Sequence, residues 1–236
     1  MNEFTRSEML LGSGAIKLLS RKTVMVFGIG GVGSFAAEAL ARTGVGTLVL
    51  IDHDTVSVTN INRQLHALQS TVGLPKVEIM AARIRDINPE CTVIPKQIFY
   101  RSADYPDILD GADYVIDAID TVSAKLELIV EAHRLGIPVV SSMGTGNKLN
   151  PSSFRIGDIY ETSVCPLARV MRAELKKRGI HKLKVVWSDE PPIKTDVPGD
   201  ELPDGKRSVP GSVIFCPAAA GLLLAREVVG ELTKNR

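Results

Sequence analysis

The chain of 236 residues is 44% hydrophobic, which suits one large domain with a sizeable core. Its formal net charge of +1 excludes a globally basic nucleic-acid-binding protein, although it leaves room for a local basic patch. The sequence shows neither a secretory signal pattern nor an apolar run as long as a membrane span, so we expect a soluble cytoplasmic protein without membrane contact.

The first part of the chain alternates apolar runs with amphipathic segments. An N-terminal helical arm (1–22), with one helix over residues 7–19, precedes short apolar runs that predict buried strands at 23–28, 46–52, 91–95, 112–120 and 137–143. Apolar residues at helical spacing predict helices at 34–44, 74–88 and 123–136. This order predicts an α/β fold with a Rossmann-like, doubly wound, mostly parallel sheet, in which residues 23–150 form a nucleotide-binding core.

The pattern changes after Asn150. We predict a strand at 152–160, a helix at 166–179, a strand at 183–188 and a closing helix at 216–232. The stretch 189–212 is rich in Pro, Gly and charged residues and predicts a long loop, which in other proteins is usually a lid or disordered. We therefore predict a single domain over residues 1–236, in which residues 151–236 are an α/β extension for substrate or dimer contact.

A glycine-rich turn, GIGGVG, joins the first strand of the core to its first helix. Gly28 and Gly30 suit a tight turn and close approach of a ligand to the backbone, and Gly33 lets the helix pack on the strand. The free N–H groups at the start of the helix suit phosphate oxygens. Asp52 follows about 20 residues later, where a carboxylate can accept both ribose hydroxyls. The unit predicts adenosine-nucleotide binding over a purely packing turn, but it does not separate NAD from ATP.

Three polar residues beyond this unit favour ATP. A triphosphate carries about four negative charges, and reaction at its α-phosphate needs fixed cations. Arg63 and Lys76 supply cations, and Asp120, at the end of the predicted fourth strand, can hold Mg²⁺. Each residue also has a plainer interpretation: a surface salt bridge for Arg63, a solvated helix residue for Lys76 and a helix N-cap for Asp120.

These elements, from the glycine-rich turn through TNINRQ, GLPK and DAIDT, resemble the ubiquitin-activating-enzyme superfamily of ATP-dependent adenylating enzymes, to which the ThiF type belongs. The resemblance implies that Asp52 holds the ribose and that Asp120 binds Mg²⁺ or orients the attacking carboxylate. It implies that Asn60, Arg63 and Lys76 hold the triphosphate.

The resemblance also implies a homodimer in which Arg6, from the N-terminal arm, reaches the phosphates of the other subunit. The predicted catalytic residues are Arg6, Arg63, Lys76 and Asp120, with Asp120 as the Mg²⁺ ligand. The predicted nucleotide-binding residues are Gly28, Gly30, Gly31, Gly33, Asp52, Asp54, Asn60, Arg63, Gln64, Lys76, Asp120 and Thr121. No zinc is predicted, because the two CxxC pairs usual in sulfur-carrier activators of this superfamily are missing from the sequence.

The second half of the chain is similar to the branch of this superfamily that acts on threonylcarbamoyladenosine in tRNA. The similarity implies that ATP and Mg²⁺ activate the threonyl carboxylate as an adenylate, which then closes a ring within the same nucleoside, with AMP and pyrophosphate as products. Because the second nucleophile is tethered, no enzyme thiol is required. Three alternatives stay open: an activator of a ubiquitin-like sulfur-carrier protein, a nicotinamide dehydrogenase, and a non-enzymatic module that binds tRNA or a partner and binds nucleotide without turnover.

The three cysteines are widely spaced and form no CxxC pair, which argues for a reducing compartment. Cys165, at a predicted helix start, is either a persulfide or thioester carrier or, as we favour, a packing residue, and a sulfur-relay protein stays open as a partner. Cys91 and Cys216 are predicted core residues. His53 and His66 are predicted on loops or helix surfaces.

The helix predicted at 166–179 is strongly basic. Arg169, Arg172 and Lys176 share one of its faces at three- and four-residue spacing. Because the whole chain is nearly neutral, this local concentration of positive charge favours contact with phosphates. The resemblance implies that these are the phosphates of tRNA. A solvated charged face without a ligand is the alternative.

Overall fold

Residues 2–194 and 210–234 are described by a computed structural model. Seven strands form one sheet in this part of the chain: β1 (Thr23–Phe27), β2 (Thr47–Ile51), β3 (Thr92–Lys96), β4 (Tyr114–Asp117), β5 (Val139–Ser142), β6 (Phe154–Asp158) and β7 (Lys184–Ser188). The order across the sheet is β3-β2-β1-β4-β5-β7-β6, and every neighbouring pair is parallel except β6 with β7. The predicted α/β, Rossmann-like, doubly wound and mostly parallel sheet is confirmed.

Helices cover both faces of the sheet. Their bounds are α1 (Thr5–Leu11), α2 (Ser13–Leu19), α3 (Gly33–Arg42), α4 (Lys76–Ile87), α5 (Val122–Leu135), α6 (Pro166–Lys177) and α7 (Phe215–Leu232). Along β1, Val24 and Val26 pack with α3, α4 and α7, whereas Met25 and Phe27 pack with α5 on the other face. This alternation explains why the strand is apolar along nearly its whole length, since both of its faces are buried.

The N-terminal arm differs from the prediction of one helix over residues 7–19. Gly12 interrupts it with a φ of 82° and a ψ of 150°, so that α1 and α2 are separate helices. A positive φ is accessible to glycine without steric penalty, which explains the break. Ile16 and Leu19 of α2 are buried, but Met9 and Leu10 of α1 are 76% and 90% exposed.

The fourth strand ends earlier than the predicted 112–120. It ends at Asp117, whose Oδ1 accepts a hydrogen bond from the backbone N–H of Ile119 at 3.2 Å. This aspartate turn redirects the chain out of the sheet. Asp120 therefore lies in the loop between β4 and α5, three residues beyond the strand, although it remains at the carboxyl edge of the sheet.

Most of the predicted loop 189–212 falls on residues 195–209, which lie outside the described residues. The flanking segments 189–194 and 210–212 contain neither helix nor strand. None of the helices in the described part of the chain combines the length and the hydropathy that a membrane crossing requires.

Candidate nucleotide-binding site

A cleft of about 410 Å³ opens at the carboxyl edge of the sheet, between the loops that follow β1, β2, β4 and β5. Ligands bind at this edge in open α/β sheets, where the strand order reverses on either side of β1. Most of the predicted site residues line the cleft: Gly28, Gly30, Gly31, Asp52, Asp54, Asn60, Arg63, Gln64, Lys76, Asp120 and Thr121. Gly33 and Arg6 do not line it.

Steric contacts explain why the glycine-rich turn has glycine at positions 28 and 33. Gly28 has a φ of +86°, and a Cβ there would lie 2.6 Å from the carbonyl oxygen of Ala118. A Cβ at Gly33 would lie 1.8 Å from the carbonyl oxygen of Gly28, so this glycine closes the turn between β1 and α3. A Cβ at Gly30 would come no closer than 3.8 Å to another atom of the protein. The glycine at position 30 therefore leaves space in the cleft itself, where a ligand can approach the backbone.

The same turn presents unused hydrogen-bond donors. The backbone N–H groups of Gly30, Gly31 and Val32 find no acceptor among the residues that the structure describes. They precede the ten-residue helix α3, whose dipole adds partial positive charge at this end. Backbone donors and a helix dipole together favour a phosphate group.

Asp52 is tied to the glycine-rich turn. Its Oδ2 accepts the N–H of Ile29 at 2.6 Å, and its Oδ1 accepts the N–H of Asp54 at 2.9 Å. These two bonds fix the carboxylate between β1 and β2 and leave each oxygen one further lone pair for a hydroxyl group of a ligand.

Lys76 is the first residue of α4 and is only 4% exposed, so the solvated-helix interpretation of it is wrong. Its Nζ lies 2.6 Å from Oδ2 of Asp54, a carboxylate that is itself about half exposed. The cleft thus holds a lysine that is desolvated along its stem and paired with one acid at its tip.

Arg63 lines the same cleft, and its Nη1 donates to the carbonyl oxygen of Thr59 and to Oδ1 of Asn62. No carboxylate pairs with its guanidinium within the described ranges, so a surface salt bridge does not explain it. The buried Oε1 of Gln64 has no hydrogen-bond partner there either. Asn60 is also buried, and its Oδ1 accepts the N–H of Ser57.

Asp120 is exposed at the rim of the cleft, where its Oδ1 accepts a 3.3 Å hydrogen bond from the hydroxyl of Thr121. The residue that precedes α5 is Thr121, so the N-cap interpretation of Asp120 is wrong. An exposed carboxylate that is neither capping a helix nor paired with a cation in the described residues is available to a ligand.

Two aspartates and a histidine form a second group of potential metal ligands in the lining of the cleft. The ligand atoms of Asp52, His53 and Asp54 are all within 4.8 Å of one another. The sequence did not predict His53 as a member of this group. Both oxygens of Asp52 already accept backbone N–H groups, and the Nε2 of His53 lies 3.1 Å from Asp54. Hard cations prefer carboxylate oxygens, so this group and Asp120 both have the chemistry for Mg²⁺.

His66 lies in a turn, which agrees with the predicted loop position, but it is not on the surface, since it is only 2% exposed. Neither of its ring nitrogens has a hydrogen-bond partner in the described residues. Burial, together with the smaller effect of the nearby positive charge of Lys76, lowers the pKa of His66 to about 4. A neutral imidazole therefore lies behind the lysine of the cleft.

The cysteines are packing residues in this structure, as predicted. Cys165 is 3% exposed and belongs to the core cluster between α5, α6 and β7. Burial raises the pKa of Cys91 to about 11 and raises that of the Cys216 thiol as well.

The basic face of α6 is confirmed, and it borders a shallow depression lined by Arg169, Arg172, Lys176, Tyr160, Ala173 and His181. Arg169 and Lys176 are exposed, whereas Arg172 is half-buried and donates to the carbonyl oxygen of Thr162. Two further basic residues at the end of the helix, Lys177 and Arg178, are paired with Glu174. The positive charge that remains unpaired therefore lies on the depression rather than around the whole helix.

Sequence reasoning missed a buried ion pair directly beneath the cleft. Lys125 and Asp117 are both completely buried, with Nζ 2.8 Å from Oδ2. The apolar periodicity of the predicted helix 123–136 concealed this lysine, because it occupies a position on the buried face.

Arg6 lies outside the cleft of its own chain, exposed on α1. Without a second subunit, the structure does not bring it to the other predicted catalytic residues.

The fold and the cleft define an α/β nucleotide-binding protein with cations placed for a polyphosphate. The chain belongs to the ThiF family, whose sequence pattern matches residues 4–233.

Its relatives include named enzymes. The chain is 48% identical to a tRNA threonylcarbamoyladenosine dehydratase of Bacillus subtilis (strain 168), over 100% of this chain and 96% of that protein. It is 48% identical to the enzyme of that name from Escherichia coli (strain K12), over 71% of this chain and 63% of the relative.

Solved structures of an enzyme of the same name are also similar to this chain. The crystal structure of E. coli tRNA N6-threonylcarbamoyladenosine dehydratase in complex with AMP has a TM-score of 0.89 to this chain, at 38% identity over 98% of this chain and 93% of that one. Its complex with ATP has a TM-score of 0.86 over the same shares.

Proposed function

We propose that this protein is an ATP-dependent tRNA threonylcarbamoyladenosine dehydratase that works through a carboxyl adenylate. The observation that carries the proposal is the cleft itself, which is lined by the free donors of the glycine-rich turn, by Arg63 and Lys76, and by the exposed carboxylate of Asp120. Full-length 48% identity to a relative of that name supports the choice of substrate.

The cleft residues fit the parts of ATP. The ribose hydroxyls would meet the oriented carboxylate of Asp52, and the open space at Gly30 would let phosphate oxygens reach the free N–H groups of the turn. Lys76 and Arg63 would balance the charge of the triphosphate, which grows on the departing pyrophosphate. A hydroxyl or amino group of the nucleotide would supply the donor that the buried Oε1 of Gln64 lacks.

The proposed chemistry needs no thiol of the enzyme, because both nucleophiles belong to the substrate. An oxygen of the threonyl carboxylate attacks the α-phosphorus of ATP, and the bond from that phosphorus to the bridging oxygen of pyrophosphate breaks. The tethered nucleophile of the same nucleoside then attacks the activated carbonyl, and AMP leaves with the former carboxylate oxygen. The net change in the nucleoside is the loss of one water, and tethering gives the ring closure its advantage in rate.

Magnesium would neutralise phosphate charge when bound, and the fit of the donors supports Asp120 as its ligand. Asp52 and Asp54 offer further carboxylate oxygens nearby. No zinc is included in the proposal.

The depression beside α6 is the proposed tRNA contact. Arg169 and Lys176 extend unpaired charge toward solvent, and the ring of Tyr160 lies beside them. Phosphates supply most of the affinity of proteins for nucleic acids, so the unpaired cations fit this role better than the paired Lys177 and Arg178.

The proposed active form is a homodimer of single-domain chains (1–236) in the cytoplasm. The side chains of Met9 and Leu10 on α1 are large, apolar and exposed, and a second copy would bury them. The same contact would carry Arg6 to the neighbouring cleft. A sulfur-relay protein as partner stays a prediction, and the burial of Cys165 does not favour it.

The test is to incubate the protein with ATP, Mg²⁺ and tRNA that carries threonylcarbamoyladenosine, then to digest the tRNA and measure the mass of the nucleoside by mass spectrometry. We expect loss of one water, dependent on ATP. Turnover of ATP only in the presence of a small ubiquitin-like protein would instead favour the activator of a sulfur carrier, and NAD binding without ATP binding would favour a dehydrogenase.

A further inference from the structure

The buried ammonium of Lys125 has three acceptors. Its Nζ lies 2.8 Å from Oδ2 of Asp117 on β4, 3.1 Å from the carbonyl oxygen of Ile119 and 3.0 Å from that of Ser142. An ammonium has three N–H donors, so all of its hydrogen-bonding capacity is used.

Asp117 is satisfied in the same way. Its Oδ2 accepts the hydroxyl of Ser141 at 2.6 Å, and its Oδ1 accepts the N–H of Ile119. Asp117 and Ser141 are direct neighbours across β4 and β5. The network therefore ties together the carboxyl ends of two adjacent strands and the start of α5.

The two carbonyl groups that accept hydrogen bonds from Lys125 belong to two different segments that line the cleft. Ile119 directly precedes Asp120, and Ser142 directly precedes the segment 143–146, so one side chain anchors two walls of the cleft. A buried ion pair is weak evidence for stability, because apolar residues of similar volume often stabilise as well. Its value lies in fixing a geometry.

We propose that Lys125 and Asp117 are positioning residues that set the distance between the Asp120 loop and the segment 143–146, and thereby the half of the cleft where the substrate carboxylate meets ATP. The catalytic consequence rests on the proposed function, but the mechanical coupling of the two segments does not. Neither side chain touches the substrates, since both are completely buried.

The experiment compares Lys125→Met, Asp117→Asn and the double variant. Each single variant leaves one buried charge without its counter-ion and is expected to lose thermal stability. The double variant removes both charges and regains stability, but it still lacks the ammonium that held the two carbonyl groups.

Two readouts separate positioning from a merely structural role. Hydrogen exchange of the segments 118–121 and 143–146 is expected to rise in the double variant, while that of 52–54, which the network does not touch, stays unchanged. In ATP–pyrophosphate exchange driven by the modified tRNA, kcat is expected to fall about tenfold to a hundredfold with little change in KM for ATP, because a small displacement in a site has effects of that size.

The matched control is Lys22→Met. Lys22 pairs with Asp113 at 2.7 Å at the opposite end of the same part of the sheet, so it tests the loss of an ion pair far from the cleft. Hydrogen exchange of both cleft segments and kcat should not change in this variant.

A stable double variant with the amide exchange and kcat of the original protein would overturn the proposal. If the double variant fails to fold, Ser141→Ala loosens Asp117 while keeping both charges, and unchanged exchange in 118–121 together with unchanged kcat would overturn it equally. Absence of pyrophosphate exchange in the unaltered protein would instead refute the proposed function, while the amide exchange would still decide whether Lys125 couples the two segments.

Discussion

The ammonium of Lys76 lies 2.6 Å from the carboxylate of Asp54, although the lysine is almost completely buried and the aspartate is half exposed. Asp54 is thus the anion that compensates the positive charge of Lys76, the residue that we propose to bind the triphosphate. A triphosphate that reaches Lys76 would share or replace this partner.

Replacement of the lysine should show its share in adenylate formation. We expect Lys76→Ala to lower kcat of ATP–pyrophosphate exchange by about 10²- to 10³-fold, the effect of losing one key electrostatic donor at a developing charge. Lys234→Ala, at an exposed lysine far along the chain, is the control and should leave the rate unchanged. A rate within threefold of the original, or about 0.7 kcal/mol, would remove Lys76 from the catalytic set.

Replacement of the aspartate should act mainly on the protein without nucleotide. Asp54→Asn leaves the buried ammonium without its anion, and we expect a loss of about 1–2 kcal/mol, less than for a fully buried pair because Asp54 is half exposed. Since ATP supplies a new anion, it should raise the Tm of this variant more than it raises that of the original protein. Asp110→Asn is the control. An ATP-induced shift that is smaller in Asp54→Asn would contradict the idea that ATP takes over this partner.

The acid sensitivity of the fold should depend on His66. Its pKa is lowered to about 4 in the folded state, chiefly by burial, whereas the unfolded chain binds the proton near the ordinary value of about 6.5. Above that value both states are neutral and the shift has no effect. As the pH falls from about 6.5 to 4, only the unfolded state gains the proton, so up to about 3 kcal/mol of stability is lost.

The measurement is the free energy of unfolding between pH 7 and 4.5. His66→Gln, which carries no titrating group, should flatten the acid branch of this curve relative to His133→Gln, at an exposed histidine of α5. Parallel curves for the two variants would show that other groups cause the loss.

The salt dependence of tRNA binding should show whether the depression beside α6 contacts phosphates. Arg169→Ala combined with Lys176→Ala is expected to weaken tRNA binding and to reduce the slope of log K against log salt by about 0.9 per lost phosphate contact. The matched control is Lys177→Ala with Arg178→Ala, which removes the same number of charges from the same helix, but charges that Glu174 already pairs. ATP affinity should stay constant in both. Equal slopes for the two double variants would show that Arg169 and Lys176 belong to a solvated charged face without a ligand.

Much of this architecture follows from local sequence signals. Apolar runs in β1 and β2 and the glycines at positions 28 and 33 fix the first βαβ unit, because strand burial and turn sterics depend on residues close in the chain. The sequence did not show that His66 is buried or that Lys125 lies in the core. Both facts arise from tertiary packing, which places a polar residue inside when its helix or turn is covered by other elements.

The positions of residues in the cleft could likewise be predicted only in part from the sequence. Asp120 was expected at the end of a strand, and the turn made by Asp117 moves it into a loop. A short apolar run followed by aspartates does not reveal which aspartate is buried and which reaches solvent. The pairing of Lys76 with Asp54 likewise depends on the approach of two segments that sequence alone does not place.

The position of Arg6 yields the most demanding prediction. It is exposed on α1, outside the cleft of its own chain, and its helix presents the exposed apolar side chains Met9 and Leu10. In a homodimer with a two-fold axis, the burial of this face could bring Arg6 to the triphosphate of the neighbouring subunit. Arg6→Ala and Asp120→Ala should then each be nearly inactive as pure dimers, because every cleft lacks one of the two residues.

Mixing distinguishes a shared cleft from a self-contained one. If the two variants are dissociated together and reassociated, about half of the dimers contain one of each chain by two-fold statistics. With Arg6 acting across the interface, each mixed dimer has one cleft with both residues intact and one with neither, so about a quarter of the original activity should return. With Arg6 acting in its own chain, every cleft of a mixed dimer still lacks one residue. Mixed dimers that form, as shown by differently tagged chains, yet recover no activity would therefore refute the shared cleft, and chains that stay monomeric at full activity would refute the dimer as well.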